Sequence, residues 1–560
     1  MSEAGMNIVI GGAAGQGLAT IGRLMSKAVV RAGYHLLVTQ KYMSRVRGGH
    51  NTFAIRMGPE PVYGPTESID ILVALNQETV DKHRGRLAEG GLVLAGDDLD
   101  IGDLNALRIP FKELASKPLF YNTVALGVLA ATVCNDETIL EKLLDETFAK
   151  KGDKVVEMNV DVVRAAFDWV RGQEFNFTCL APPEEDGGMM MVNGNEAIAL
   201  GALAAGCNFV SFYPMTPGTS VATTLIAKGA PLGLVYEQME DEIAAVNIAL
   251  GASYAGARPM VTTSGGGFAL MTEGVSLAGV SETPVVITVA QRPGPATGMA
   301  TRTEQADLDL VLYAGHGEFP RAILAPADVE QCFYLTHLAF DLAESFQTPV
   351  FVLTDQHLAD SYQGVAPFDL DDLPDVARPM REAEEGYKRY ALSEDGVSPR
   401  LVPGFGRALV RADSHEHDET GWITEDGMNR VVQNSKRLDK AFGLEDEVVE
   451  PDYYGEDAPD VLLVCWGSSL GACLDAMEKA ENGKTMAVLH FSQVYPLCES
   501  LFMDDLEKAG TVVAVEGNAT GQFAKLITRE TGFSINNHIL RFDGRPLTPE
   551  YVLAGLNGII

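Results

Sequence analysis

Three stretches of the 560-residue chain pair a chemically useful side chain with a break in the backbone. "FYPMTPGTS" ends an apolar run in Tyr213, Pro214, Met215, Thr216 and Pro217. "VYEQMEDEIAAV" sets Glu237, Glu240, Asp241 and Glu242 ahead of the apolar run "IAAVNIALGA". "VAQRPGPATGMATRTEQADL" places Arg292 before a Pro/Gly loop. Taken singly, each has an ordinary explanation: a turn residue, a helix cap, a surface ion pair. Taken together they offer a hydroxyl, a carboxylate and a guanidinium. A guanidinium grips a carboxylate directionally, and a carboxyl in a dry pocket holds a proton at higher pH than in water. Open α/β sheets bind ligands at the carboxyl ends of their strands. The three stretches fall there if the apolar runs before them are strands.

The patterning supports such strands. Residues 6–170 alternate strand-like and helix-like runs, from "NIVIGG" through "LATIGRLMSKAVVRAG" to "LFYNTVALGVLAATV". Continuous apolar strands between helices predict a mainly parallel sheet covered on both faces. Residues 171–189 break the pattern and read as a linker. A second block, about Val192 to Asp360, holds the strands "FVSFYP", "GLVYEQ", "PMVTTS", "PVVITVA" and "PVFVLTD". Residues 363–457 are rich in Asp, Glu, Pro and Gly and read as irregular, with one helix near "MNRVVQNSKRLDKAF". A third block starts at Val461. The expected fold class is α/β, with three α/β domains at 1–180, 190–362 and 458–560 and the irregular segment 363–457 between the last two.

Composition excludes several classes. A net charge of −35 argues against a nucleic-acid or anionic-membrane partner, since both need a basic footprint. The uncharged stretch Ala197 to Met215 carries Asn208 and Pro214, which fits a buried helix, turn and strand better than a membrane span. The start lacks a basic n-region, so no signal peptide is expected. Cys134, Cys179, Cys207, Cys332, Cys465, Cys473 and Cys498 have no cluster-ligand spacing and read as reduced, buried thiols of a cytoplasmic protein. His415 and His417 read as part of a solvated acidic loop, so no metal site is expected.

Two loops in the first block invite a ligand. "IVIGGAAGQG" lies between a strand and a helix, but its spacing is not G-x-G-x-x-G, and Thr39 and Gln40 stand where a ribose-binding acid belongs. Close packing of helix on strand is the favoured reading, with an anion at the helix start still open. "YMSRVRGGHNTFAIRMG" puts Ser44, Arg45 and Arg47 in a loop of an otherwise acidic chain. These are either exposed arginines or a grip for carboxylate or phosphate.

The quoted segments, with "EDEIAAVNIALGASYAGARPMVTTSGGGFALMTE", "YALSEDGVSPRLVPG", "SHEHDETGWITEDG" and "VVAVEGNATGQFAKLI", resemble the 2-oxoacid:ferredoxin oxidoreductases along nearly the whole chain. The similarity is to the form with a gamma domain fused ahead of the alpha subunit, closest to the 2-oxoglutarate type. Met215 and Gly218 depart from the family pattern and bear on substrate more than on reaction. The resemblance implies a gamma-like Rossmann-like domain, a pyrimidine-type thiamine-diphosphate domain and a transketolase C-terminal-like domain. It implies thiamine diphosphate with Mg2+ and a [4Fe-4S] cluster carried mainly by a partner beta subunit, because no diphosphate-binding or cluster motif stands in this chain. It implies coenzyme A as co-substrate, ferredoxin as acceptor and a dimer of alpha-beta heterodimers. The reaction would be 2-oxoglutarate, coenzyme A and oxidised ferredoxin to succinyl-CoA, carbon dioxide and reduced ferredoxin. Pyruvate or a branched-chain 2-oxoacid as substrate, or a non-catalytic assembly subunit, are the alternatives.

By the same resemblance Glu242 takes the place of the acid at the aminopyrimidine ring, with Gly251 nine residues on in register and Glu240 as its rival. Tyr213, Pro214, Thr216 and Gly266 would border the cofactor. Thr216 and Arg292 would hold the substrate. Ser44, Arg45 and Arg47 would meet a distal carboxylate or coenzyme A. A nicotinamide dehydrogenase built on the Gly-rich loop is the competing enzyme class, disfavoured by the missing acid.

Overall fold

The computed structural model describes residues 5–43, 48–175, 177–181, 183, 188–481 and 483–560. The chain forms two compact units: Met1–Val192 with Ser361–Pro367 and Thr548–Glu550, and Asn193–Asp360 with Phe368–Leu547 and Tyr551–Ile560.

The first unit is built on β1 (Met6–Ala14), β2 (His35–Lys41), β3 (Gly48–Gly58), β4 (Ile69–Ala74), β5 (Leu87–Gly96), β6 (Ala106–Ile109), β7 (Met190–Asn193) and β14 (Tyr362–Val365), in the order β6-β5-β4-β1-β3-β2-β14-β7. Strands β6, β5, β4 and β1 run parallel, but β3 is antiparallel to both β1 and β2, and β14 is antiparallel to β2. The sheet is therefore mixed, not mainly parallel as expected. The physical reason is loop length. The stretch from Lys41 to Gly48 is too short for a crossover helix, so β2 and β3 pair as a hairpin. The helices Leu18–Arg31, Tyr121–Thr132 and Asp153–Arg171 bury Val29, Val128, Leu129, Val163 and Phe167 with Ile8, Ile10 and Ile55 in one core.

Cysteine pairing is a second correction. Cys134 and Cys179 are joined by a disulfide that ties the end of helix Tyr121–Thr132 to the segment after residue 171. The other five thiols are free, four of them buried. Burial correctly describes those four, but spacing along the sequence carries no record of which distant thiols meet.

The second unit holds β8 (Phe209–Phe212), β9 (Val235–Gln238), β10 (Pro259–Thr263), β11 (Val285–Gln291), β12 (Ala322–Leu324), β13 (Pro349–Asp355) and β18 (Gln493–Tyr495), ordered β18-β12-β13-β11-β10-β8-β9. All but β18 are parallel. A further sheet contains β15 (Asp452–Gly455), β16 (Val461–Trp466), β17 (Met486–Phe491), β19 (Thr511–Glu516) and β20 (Asn537–Leu540), ordered β15-β17-β16-β19-β20. One apolar cluster runs through both sheets and includes Val289, Phe351, Trp466, Phe491 and Phe523. The segment after Val365 carries the helix Gly427–Asp446, whose Lys436 and Lys440 ammonium groups lie 2.7 and 2.6 Å from the buried Glu282 carboxylate. The one carboxylate is shared by two buried lysines, offsets part of the cost of burying them and pins this helix to the sheet layer.

Candidate active site

Glu242 opens the helix Glu242–Tyr254, directly after β9. The cap of that helix is Asp241, whose side chain accepts from the Ala244 amide at 2.8 Å. Capping is thus already satisfied, and Glu242 is free to turn inward. It is 2% exposed, and its Oε1 has no hydrogen-bond partner. Burial raises its carboxyl above the usual range, with a smaller push from Asp241. What makes room for it is Gly267: a Cβ there would stand 2.4 Å from Glu242 Oε1 and 2.3 Å from Thr263 Oγ1. Glu242 therefore sits against the end of β10 and the first turn of helix Gly265–Val280.

Thr216 follows β8, with Tyr213, Pro214 and Thr216 all exposed at the strand end. Its backbone is held from several sides. Arg292 Nη1 donates to Thr216 O at 2.6 Å, Asn195 Nδ2 donates to Pro217 O at 2.9 Å, and Thr262 Oγ1 donates to Gly218 O at 2.8 Å. Gly218 itself lies so close to β10 that a Cβ would meet Thr263 O at 2.5 Å. The hydroxyl residue and the guanidinium residue thus meet at one sheet edge. The chain of contacts from Thr216 through Gly218, Thr263 and Gly267 reaches Glu242. Gly266 is exposed in the first turn of the neighbouring helix. Ser44, Arg45 and Arg47 lie outside the described residues.

Several groups at this edge were not singled out in the sequence. Asp307 is the N-cap residue of helix Leu308–Leu312 but makes no side-chain cap bond. Its carboxylate turns instead to the start of helix Gly265–Val280, where a Gly265 Cβ would meet Asp307 Oδ2 at 2.1 Å. Its amide donates to Gln291 Oε1 at 2.9 Å, one residue before Arg292. Burial, then Glu304, push the Asp307 carboxyl up to about 6, and Arg292 opposes them. Asp307 Oδ2, Ser264 Oγ and Gln291 Nε2 are buried without partners, beside the orphan oxygen of Glu242. Asp307 stands in "TRTEQADL", an acid before an apolar run just as Glu242 is, and that parallel was the available signal.

The loop carrying Arg292 is anchored by the second sheet of the unit. Gln305 Nε2 donates to Trp466 O at 3.0 Å, and the Gly517 amide donates to Gln305 Oε1 at 2.8 Å. Thr303 Oγ1 donates to Asp355 Oδ1 at 3.1 Å, and Ser468 Oγ donates to the other oxygen of the same carboxylate. So "CWGSS" and "EGNATGQ" serve as a clamp on the loop that carries Arg292.

In the first unit the Gly-rich turn is filled by its own residue. Gln16 Oε1 accepts from the Ala13 amide at 2.6 Å and from Asn76 Nδ2 at 3.1 Å. Gly17 is packed under Asn122, whose Nδ2 would lie 1.8 Å from a Cβ there. Close packing accounts for Gly11, Gly12 and Gly17, whereas Gly15, at φ +96°, has open space where a Cβ would stand. A cavity of about 380 Å3 opens beside Gly15, with Asp97, Asp98 and Lys112 on its wall.

The fold agrees with the comparisons. A family described as pyruvate flavodoxin/ferredoxin oxidoreductase, thiamine diphosphate-binding, matches residues 200–437. One described as pyruvate ferredoxin/flavodoxin oxidoreductase matches residues 7–169. A 2-oxoacid:ferredoxin oxidoreductase alpha subunit from a Sulfolobus species is 31% identical over 96% of this chain and 94% of its own. The KorA subunit of 2-oxoglutarate synthase from Archaeoglobus fulgidus is 37% identical over 61% of this chain and 91% of its own. The structure of 2-oxoglutarate:ferredoxin oxidoreductase from Magnetococcus marinus matches with a TM-score of 0.93 and 30% identity, covering all of both chains. The chain belongs to the 2-oxoacid:ferredoxin oxidoreductases, as a subunit of the alpha type. It is thus part of a multi-subunit oxidoreductase.

Proposed function

We propose that this chain supplies the pyrimidine side of a thiamine diphosphate site completed by a beta subunit, and that the complex oxidises 2-oxoglutarate with coenzyme A and ferredoxin. The observation that carries this reading is the buried, raised carboxyl of Glu242 with an oxygen left unpaired over Gly267. A capping or structural acid would have its oxygens satisfied, whereas an acid meant for a ring nitrogen needs one free. The residues fit the pyrimidine end of the cofactor. When bound, thiamine diphosphate supplies the carbon nucleophile and electron sink that decarboxylation of a 2-oxoacid requires.

Glu242 holds a proton at Oε1 for the ring nitrogen, and its dry surroundings strengthen that hydrogen bond. Arg292 grips the carboxylate that is lost, held in place through Thr216 O, and Thr216 presents its hydroxyl beside it. Tyr213, Pro214 and Gly266 form the open rim. The diphosphate, its Mg2+ and the [4Fe-4S] cluster belong to the beta partner. Coenzyme A and the distal carboxylate remain the proposed ligands of Ser44, Arg45 and Arg47.

Support for 2-oxoglutarate comes from the Magnetococcus marinus enzyme, described with 2-oxoglutarate, coenzyme A and succinyl-CoA bound, and from the KorA relatives. Support for the partner comes from β9. All four of its residues are exposed, although an edge strand normally covers one face. Val235 and Tyr236 are 54% and 48% exposed, and Ile243 beside them is 49% exposed. No helix among the described residues is long and apolar enough to cross a membrane.

The test is Glu242→Gln in the assembled complex. It should abolish exchange of carbon dioxide into the 2-oxoacid and leave assembly intact, while Glu240→Gln stays near wild type. Near-normal exchange in Glu242→Gln, with loss in Glu240→Gln, overturns the assignment.

A further inference from the structure

The proposed mechanism leaves one buried acid of the site unused. Asp307 lies on the loop that Arg292 begins. Its amide is tied to Gln291, the residue before Arg292, and its carboxylate packs on Gly265 with Oδ2 unpaired. Among the described residues, six other acid or amide N-caps, including Asp136, Asp241, Asp328 and Asp426, bond their own helix, but Asp307 does not. The side chain has been turned from capping toward the site. Two charged groups act on it electrostatically, Glu304 raising its carboxyl and Arg292 opposing. Glu242, reaching Gly267 on the same helical turn, is the next carboxyl.

We propose that Asp307 is a positioning residue for Arg292: with its backbone amide tied to Gln291 and its unpaired carboxylate against Gly265, it sets how much of the guanidinium's charge is open to a substrate carboxylate. This inference rests on Arg292 binding the substrate. An ionised Asp307 competes with the substrate for Arg292, and a protonated one does not. With the carboxyl pushed up to about 6, the change falls in the working pH range. Below that pH Arg292 is unopposed and the substrate binds tightly. Above it the grip weakens. Glu304 keeps Asp307 protonated to higher pH by like-charge repulsion.

The experiment uses the assembled complex, with KM and kcat for 2-oxoglutarate measured from pH 5.5 to 8, and binding of unreactive glutarate titrated in parallel. In the wild type, KM and the glutarate dissociation constant should rise together through pH 6, by roughly three- to tenfold, as for a partly screened charge pair that is not in direct contact. Asp307→Asn should hold both at their low-pH values throughout, with kcat changed less than KM. Glu304→Gln should move the wild-type rise to lower pH. Wild-type pH dependence of KM retained in Asp307→Asn overturns the inference, as does a Glu304→Gln profile that moves upward or not at all. A wild-type complex inert towards every 2-oxoacid overturns the functional reading, and this inference with it.

Discussion

Glu242 combines two unfavourable features: a carboxyl taken from water and an oxygen left unpaired. A fold keeps such a group only where the surroundings over-determine it. Here Asp241 takes the capping role and Gly267 supplies the space. Because the folded carboxyl titrates above its ordinary 4.5, its charge opposes folding at neutral pH, and that cost disappears as pH falls below 4.5. Glu242→Gln should therefore raise the stability of the isolated chain at pH 7, by on the order of 1 kcal/mol. The advantage should shrink as pH falls through the carboxyl range. Thermal melts of both chains at pH 7 and pH 4 check this, and a less stable Gln variant at pH 7 speaks against a buried, unpaired carboxyl. Gly267→Ala should act on the same point from the other side. Its methyl would displace the Glu242 oxygen, so activity of the complex should fall at least a hundredfold while the far-ultraviolet dichroism stays wild type.

At the scale of elements, the site is a set of strand ends held by contacts that lie far away in sequence. Gln305 and Thr303 lash the Arg292 loop to Trp466, Gly517 and Asp355. The helix Gly427–Asp446 is fastened at Glu282. Lys440, Lys436 and Arg389 together outweigh the burial of Glu282 and hold its carboxyl at about 2. Removing that one negative charge would strand two buried ammonium groups. Glu282→Gln should cost about 3–5 kcal/mol at pH 7, read from denaturant midpoints. The sign with pH follows from the depressed carboxyl. Its contribution is complete above 4.5 and is lost as pH falls towards 2, so the gap between variant and wild type should close over that range.

At the scale of the molecule, two observations invite measurement. The disulfide Cys134–Cys179 and the five free thiols fix a count. Protein denatured without reductant should show five reactive thiols, and seven after reduction. Seven in both conditions would mean the pair is not bonded. The exposed apolar residues of β9 and the helix after it make the second prediction. On addition of the beta partner, amide exchange over 235–243 should slow at least tenfold, and unchanged exchange there would place the partner elsewhere.

Much of this was legible in the sequence, because much of it is local. Apolar runs of strand length, the prolines after Phe212, and acids before alanine-rich helices mark the α/β pattern within a few residues of one another. They also mark the candidate residues, Thr216, Glu242 and Arg292. What escaped was non-local. No pattern within "SETP" shows that Glu282 will meet Lys436 and Lys440, nor does any local stretch show that β3 will also pair with β1 and β14 with β2, which mixes the first sheet. Spacing could not show that Cys134 meets Cys179. The sequence alone therefore determined the chemistry available and the order of strands that carry it. Tertiary structure decided which of four neighbouring acids is buried, since Gly267 and Thr263 come from another strand and helix. It also brought Asp307 against Gln291 and Gly265, because burial depends on how distant segments pack.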